Sequence, residues 1–306
     1  MNEFDLVLPT AVDIREVGMR DGLQLEAPVP LAGKLEMLEA LVATGVRRIE
    51  VTSFVSPRAV PALADADQVA AELSRWPGVH WSALVANARG AVRAVDAGMA
   101  DLEYVVSASD GHSRANAGRT TAEAVAAVGE IAGLAHGAGG SLEVIIATAW
   151  DCPFDGPTPP QRVLDVVTAA RDNGTDRLAI ADTIGTTTPK RVADLVAEVR
   201  PLSGDIPLGA HFHNTRGAGL ASAYAAVCAG ITRLDASVGG LGGCPFAPGA
   251  SGNIATEDLV YLLRDSGIHV DVDLEAAIAA ARVAQTAVGH ELPGALLRAG
   301  DRLLGS

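Results

Sequence analysis

Residues 12–22 read VDIREVGMRDG, and this stretch decides between the two folds that the rest of the chain permits. Apolar and charged side chains intermingle from Val12 to Val17 in a manner typical of a β-strand. In a doubly wound dinucleotide-binding sheet, this first strand would lead into a Gly-x-Gly-x-x-Gly turn. Here it leads into GMRDG, which lacks the glycine spacing of a phosphate-binding turn. The sequence therefore favours a closed α/β fold, the (β/α)8 TIM barrel.

Seven further β-rich runs follow this first strand, and Ala-rich amphipathic segments lie between most of them. The predicted strands after Val12–Val17 are Arg48–Ser53, His80–Ala86, Leu102–Ser109, Leu142–Ala149, Arg177–Asp182, Leu208–Asn214 and Arg233–Gly239. The helical segments include Leu31–Thr44, Leu63–Arg75, Thr120–His136, Pro159–Asn173, Thr188–Arg200 and Gly217–Cys228. Strands that alternate with helices imply parallel pairing through crossover connections, as a barrel of eight units requires.

The pattern changes near residue 268, which divides the chain into two predicted parts. Residues 1–268 form the catalytic barrel, and residues 269–306 form a short C-terminal helical extension packed on it. The apolar segment Val270–Val288 in this extension also suggests a surface for self-association. We therefore expect a homodimer.

The overall charge and the cysteine content exclude several classes of protein. The chain has 306 residues, 23 Lys and Arg against 37 Asp and Glu, and a net charge of −14, which disfavours nucleic-acid binding. Three widely spaced cysteines provide no disulfide framework. No basic segment leads into an apolar run at the N-terminus, and no apolar run is long enough to span a bilayer. We expect a cytoplasmic protein that is not bound to membranes.

Polar residues recur at the predicted strand ends, which in such a barrel share one rim. Asp21 follows the first strand, His211 and His213 lie two apart on the seventh, and Asn253 follows the eighth. Side chains two apart on a strand share a face, so both imidazoles should point into the barrel mouth. Two imidazoles with two oxygen donors suit Mg²⁺ or Mn²⁺ better than zinc, which prefers a closed tetrahedral site.

Other rim residues admit both structural and chemical interpretations. Arg20 either forms a surface ion pair or stabilises a developing oxyanion. Glu16 and Glu50 are either buried structural carboxylates or part of the site. Cys244 lies in a glycine-rich loop, where its thiol could close over the site and transfer a proton. The remaining histidines lack ligand spacing and are expected at the surface or at helix caps: His80, His112, His136, His269 and His290.

Several longer motifs occur in a fixed order along the chain. They read RDGLQ at 20–24, EVTSFVSP at 50–57, DTIG at 182–185, HFH at 211–213, GLGGCP at 240–245, GASGN at 249–253 and ATEDLV at 255–260. Together they resemble the 3-hydroxy-3-methylglutaryl-CoA lyases, a family of metal-dependent barrel enzymes, from about residue 12 to about residue 268.

The resemblance implies a carbon–carbon lyase that cleaves 3-hydroxy-3-methylglutaryl-CoA to acetoacetate and acetyl-CoA in a retro-Claisen reaction, one used in leucine degradation. It implies a divalent cation, Mg²⁺ or Mn²⁺, as cofactor and an acyl-CoA as partner. The implied metal ligands are Asp21, His211, His213 and Asn253. The implied catalytic residues are Arg20, Cys244, Glu50 and Asp182, and the implied substrate contacts are Arg20, Gln24, Ser53 and Glu257.

Three residues depart from the usual lyase pattern and keep other activities open. Met19 replaces a proline, Leu25 an asparagine, and Asn214 an aspartate. The four implied ligands are unchanged, so the departures bear on acyl specificity and rate. The alternatives are a lyase for a longer or different 3-hydroxyacyl-CoA, a Claisen-condensing synthase of the same barrel family, and a barrel without catalytic activity.

Overall fold

The computed structural model describes residues 8–244 and 247–302; for residues 244 and 247–251 it describes the backbone alone. Eight parallel strands close into a barrel in the order β1-β8-β7-β6-β5-β4-β3-β2, which confirms the predicted fold. The strands are β1 Asp13–Glu16, β2 Arg48–Phe54, β3 His80–Val85, β4 Asp101–Ser107, β5 Leu142–Ala147, β6 Arg177–Asp182, β7 Leu208–Phe212 and β8 Arg233–Ala236. The barrel closes where Asp13 pairs with Arg233 and Glu16 with Ala236.

Twelve α-helices lie within the described residues, mostly between consecutive strands. They are α1 Leu31–Ala43, α2 Ala66–Glu72, α3 Ala88–Asp96, α4 Asp110–Ala117, α5 Thr121–Ala126, α6 Val128–Gly137, α7 Pro160–Asp172, α8 Pro189–Ser203, α9 Gly219–Cys228, α10 Thr256–Asp265, α11 Leu274–Val288 and α12 Ala295–Ala299. None of these helices is both long and apolar enough to cross a bilayer.

The predicted helix over Thr120–His136 is two helices, which separate at Ala127. Apolar spacing also did not identify α4, whose sequence DGHSRANA has few apolar residues. This helix instead begins at a side-chain cap, because the Ser109 hydroxyl accepts a hydrogen bond from the backbone N–H of His112. A polar helix that depends on its cap gives no hydrophobic pattern to read.

The C-terminal helices pack on the outside of the barrel. Helix α11 packs against α1, α10 and the turn after β8, and its buried residues include Leu274, Ile278 and Ala281. Much of the surface that suggested self-association is therefore used within the chain. The homodimer and the division at residue 268 stay predictions.

Apolar side chains fill the space between strands and helices, whereas charged groups occupy the lower barrel interior. Arg15 makes two hydrogen bonds to the carboxylate of Asp235, at 2.9 and 2.7 Å, and a third to Glu143 at 3.0 Å. Arg233 reaches Glu143 from the other side at 2.6 Å. Because these buried charges are paired, the interior can hold ionised groups directly beneath the barrel mouth.

Candidate active site

The turn after β1 places the first two site residues. Residues Gly18–Gly22 form one π-helical turn, in which the backbone N–H groups of Asp21 and Gly22 both donate to the Val17 carbonyl, at 2.8 and 3.1 Å. Such turns are rare and occur frequently at functional sites. The turn brings the side chains of Arg20 and Asp21 to the barrel mouth, where both line the central cavity.

Glu16 fixes this turn to the rest of the rim, which supports its structural interpretation. Its Oε1 accepts hydrogen bonds from the backbone N–H groups of Gly18 (2.7 Å) and Val238 (2.9 Å). Its Oε2 accepts one from the hydroxyl of Thr256 at 2.6 Å. One buried carboxylate thus joins the loops that follow the first and last strands.

Backbone pairing explains how Asn253 reaches the two histidines. The segment around Asn253 pairs with the end of β7, where His213 and Asn253 form an antiparallel bridge. The N–H of Asn214 donates to the Gly252 carbonyl at 2.6 Å. The Asn253 amide then donates to Asp21 Oδ2 at 2.8 Å and to the Leu241 carbonyl at 3.1 Å.

Asp21, His211 and His213 form a cluster that suits a metal ion. One donor atom from each of the three lies within 4.8 Å of the others, and the imidazole centroids are 5.0 Å apart. Burial alone would raise the pKa of Asp21, but Arg20 and the histidines hold it well below its ordinary value, so the carboxylate is ionised. Among the contacts described, the buried Oδ1 of Asn253 has no hydrogen-bond partner. A divalent cation that prefers N and O ligands would satisfy it.

Gly242 has a positive φ of 126°, and a side chain there would crowd Asn253. An added Cβ would lie 2.7 Å from the Asn253 amide nitrogen. The glycine-rich loop thus allows the backbone to approach the amide closely. The loop therefore lies directly beside Asn253, one of the predicted metal ligands.

Arg20 lies between two carboxylates. Its Nε is 2.6 Å from Glu50 Oε1, and its Nη1 is 2.7 Å from Asp21 Oδ1. Gln24 completes this side, since its amide donates to Asp21 Oδ1 at 2.7 Å. Within the described part of the chain, these contacts involve Nε and Nη1 of Arg20 but not its Nη2.

The cluster lies in a cavity of about 290 Å³ at the barrel mouth. Arg20, Asp21, Gln24 and both histidines line one half of it. The other half is formed by apolar side chains and by a few polar groups at the rim. The structure thus brings three of the four predicted ligands, Arg20 and Gln24 into one cavity, while the fourth ligand, Asn253, contacts Asp21.

Of the other predicted site residues whose side chains the structure describes, none is among those that line this cavity. Asp182 accepts hydrogen bonds from the N–H groups of Thr186 and Thr187, both at 3.0 Å, while its neighbour Thr183 lines the cavity. Ser53 is buried near the end of β2. Cys244 lies in a hairpin strand beside Gly243, and its side chain is outside the described residues. The roles of these residues stay predictions.

Two residues of the site escaped the sequence analysis. Asp235 points from β8 into the barrel, where its Oδ2 lies 3.1 Å from Nδ1 of His211. A carboxylate between two apolar residues, Leu234 and Ala236, of a buried strand was the available signal. His112 lies in the first turn of α4, which Ser109 caps, and its side chain is only 4% exposed and lines the cavity, so the expected position at the surface or at a helix cap is wrong.

We expect Asp235→Asn to weaken Mg²⁺ or Mn²⁺ binding about 10–100-fold, since a carboxylate on the far nitrogen orients a ligating imidazole. Calorimetric titration of the metal into the protein would measure this, with Asp194→Asn as the matched control at an exposed ion pair. Equal affinities in the two variants would contradict the role assigned to Asp235.

Glu257 is fully buried beneath the loop after β8 and braces it. Its Oε2 accepts a hydrogen bond from the N–H of Gly239 at 3.0 Å, and an added Cβ on Gly294 would lie 2.2 Å from its Oε1. Burial raises the pKa of Glu257 to about 8. This position supports a bracing role, and the predicted substrate contact of Glu257 remains a prediction.

We expect Glu257→Gln to remove part of the pH dependence of stability. The native state keeps the proton until about pH 8, whereas the unfolded chain releases it near its ordinary pKa of 4.5, so the parent loses stability as pH rises between these values. The loss is at most about 5 kcal/mol. Urea unfolding should show the stability of the variant rising relative to that of the parent between about pH 5 and pH 8. A constant difference would refute this assignment.

Comparisons with known proteins agree with the geometry. The HMGL-like family model matches residues 11–284. An (R)-citramalyl-CoA lyase of Chloroflexus aurantiacus is 42% identical, with 95% of each chain covered. A hydroxymethylglutaryl-CoA lyase of Bacillus subtilis is 39% identical over 93% of this chain and 96% of its own. The solved structure of an HMG-CoA lyase from Acinetobacter baumannii, in complex with coenzyme A and 3-methylmalate, superposes with a TM-score of 0.91 at 39% identity, covering 100% and 99% of the two chains.

Proposed function

Because the chain belongs to the HMGL-like family, we propose that it cleaves 3-hydroxy-3-methylglutaryl-CoA to acetoacetate and acetyl-CoA with the aid of Mg²⁺ or Mn²⁺. The family makes it a carbon–carbon lyase that acts on a coenzyme A thioester. The observation that carries the proposal is the cluster of Asp21, His211 and His213 beside the unpaired amide oxygen of Asn253.

Some residues of the site would bind the metal ion, and others would orient those ligands. Asp21, His211, His213 and Asn253 would hold the cation, which when bound acts as a Lewis acid on the substrate's hydroxyl oxygen. Asp235 keeps the His211 ring oriented through its Nδ1. The amide of Gln24 and the guanidinium of Arg20 both bind Asp21, so the carboxylate keeps one orientation.

The reaction breaks the bond between C2 and C3 of the acyl group. The C3 hydroxyl loses its proton, C3 becomes a ketone, and the bonding electron pair passes to C2 and the thioester oxygen. Arg20 Nη2 would donate a hydrogen bond to that oxygen as negative charge develops on it. Cys244 would transfer the proton that C2 takes up, which completes acetyl-CoA.

A second candidate substrate is (R)-citramalyl-CoA, favoured by the 42% identity to a lyase of that name over nearly the whole chain. It shares the tertiary hydroxyl and the acetyl-CoA product, but its carboxylate is attached directly to C3. Assays with both thioesters under the same metal conditions would discriminate, with the ketone product identified by mass spectrometry. Acetoacetate release at the higher kcat/KM supports the first substrate; pyruvate release at the higher value would replace it with the second.

A further inference from the structure

We infer that the site carries an apolar subsite for an alkyl group on C3 larger than methyl; this inference rests on the proposed function and specifies its substrate class. The half of the cavity opposite Arg20 and Asp21 is lined by five apolar side chains. They are Leu84, Val105, Ile145, Ala147 and Ala181.

Strand register places these side chains in a continuous surface. Val105 on β4 pairs with Ile145 on β5, which pairs in turn with Ala179 on β6. These residues and Ala181 form an apolar cluster separate from the main core between strands and helices. Ala147 and Ala181 lie two residues further along β5 and β6, so they share the inward face one layer nearer the mouth.

The apolar surface begins directly beside the metal ligands. Ala181 on β6 pairs with His211 on β7. A substrate whose C3 hydroxyl is held at the histidines would therefore direct a C3 substituent past the small side chain of Ala181. Beyond it the substituent would reach Ile145 and then Val105. The small side chains of Ala147 and Ala181 leave space between the metal ligands and the larger side chains of Ile145 and Val105.

The polar lining residues on this side lie at the rim, not on the apolar surface. His112 and Asn116 belong to α4, and Thr183 follows the end of β6. Val105 and Leu84 are partly exposed inside the cavity. Apolar side chains that face a cavity of about 290 Å³ favour an apolar ligand group there, because its burial removes both surfaces from water.

The test measures binding, which does not depend on turnover. The probes are 3-methylglutaryl-CoA and 3-propylglutaryl-CoA, which lack the C3 hydroxyl and cannot be cleaved. Each buried methylene should improve affinity about fourfold, so the propyl compound should bind the Mg²⁺-loaded protein about 15-fold more tightly. Equal or weaker binding of the propyl compound would overturn the inference.

Matched variants test whether the tighter binding of the propyl compound depends on the apolar side of the cavity. Val105→Thr keeps the side-chain shape but adds a hydroxyl to the apolar surface, so the propyl preference should fall to a few-fold or less. Ile145→Thr provides a second variant if the first does not fold. Val283→Thr, the same change on α11 outside the barrel, should keep the full preference. An unchanged preference in both barrel variants would refute the subsite.

The outcomes separate this inference from the proposed function. If 3-hydroxy-3-methylglutaryl-CoA is cleaved and the two probes bind equally, the function stands and the subsite fails. If the propyl preference is present but no 3-hydroxy-3-alkylglutaryl thioester is cleaved, the subsite stands and the proposed reaction fails.

Discussion

Arg20→Gln should lower kcat for thioester cleavage about 10²–10³-fold, the usual cost of removing one donor to a developing oxyanion. The guanidinium occupies its Nε and Nη1 with Glu50 and Asp21, and in the proposed reaction its Nη2 would donate to the thioester oxygen. A glutamine is shorter and carries no positive charge. The affinity for Mg²⁺ should also fall, by about 10–100-fold, because Arg20 orients the ligand Asp21, so kcat is compared at saturating metal. Steady-state kinetics and calorimetry would measure the two effects.

The loss of Arg20 also leaves Glu50 buried without its counter-charge, which typically costs about 3–5 kcal/mol of stability. A double variant, Arg20→Gln with Glu50→Gln, removes that charge and should recover most of the thermal stability. Its kcat should remain as low as that of the single variant. Recovery of kcat together with stability would show that Arg20 acts only as a structural ion-pair partner.

Cys244→Ala should lower kcat about 10²–10⁴-fold, the range for removing a general acid or base. The backbone position of Cys244 supports a role of its thiol in proton transfer. Gly243 and Cys244 form a strand that pairs with Ala247–Ser251, and the hairpin follows Gly242, where an added Cβ would crowd the Asn253 amide. An added Cβ on Gly243 would lie 3.4 Å from Leu25, a residue of the cavity wall. The hairpin therefore lies at the cavity mouth.

Cys228→Ala is the matched control, because this cysteine ends α9 on the outer layer of the barrel and is half-buried there. Its kcat should equal that of the parent. The Cys244 variant should still bind Mg²⁺ with parental affinity. A kcat within threefold of the parent in Cys244→Ala would exclude the thiol from proton transfer.

Most of the fold could be predicted from the sequence because barrel strands give a strong local signal. The predicted strand Arg177–Asp182 has the observed bounds, and Arg48–Ser53 is one residue short. Several predicted strands run past the true ends, as at Leu208–Asn214, where β7 stops at Phe212. The excess residues continue into rim loops, where backbone pairing depends on distant segments that local patterns do not reveal.

The candidate site was predictable where it depends on strand ends and less so where it depends on side-chain partners. The His-x-His spacing and the position of Asp21 after the first strand predicted the cluster of Asp21, His211 and His213. Asp235 was missed, since its role arises from a contact with His211 that only the barrel register creates. The substrate contact of Glu257 stays a prediction, and its hydrogen bond to Gly239 was not foreseen because that contact is set by how the loop folds back.

The central claim is that one divalent cation at Asp21, His211, His213 and Asn253 enables the cleavage. Its most direct test is to strip the protein with chelator and then titrate Mg²⁺ or Mn²⁺ back in the presence of 3-hydroxy-3-methylglutaryl-CoA, following acetyl-CoA. We predict no product from the stripped protein and full activity once one ion per chain has bound. Undiminished cleavage by the stripped protein, or no cleavage of any 3-hydroxyacyl-CoA by the fully loaded protein, would contradict the account.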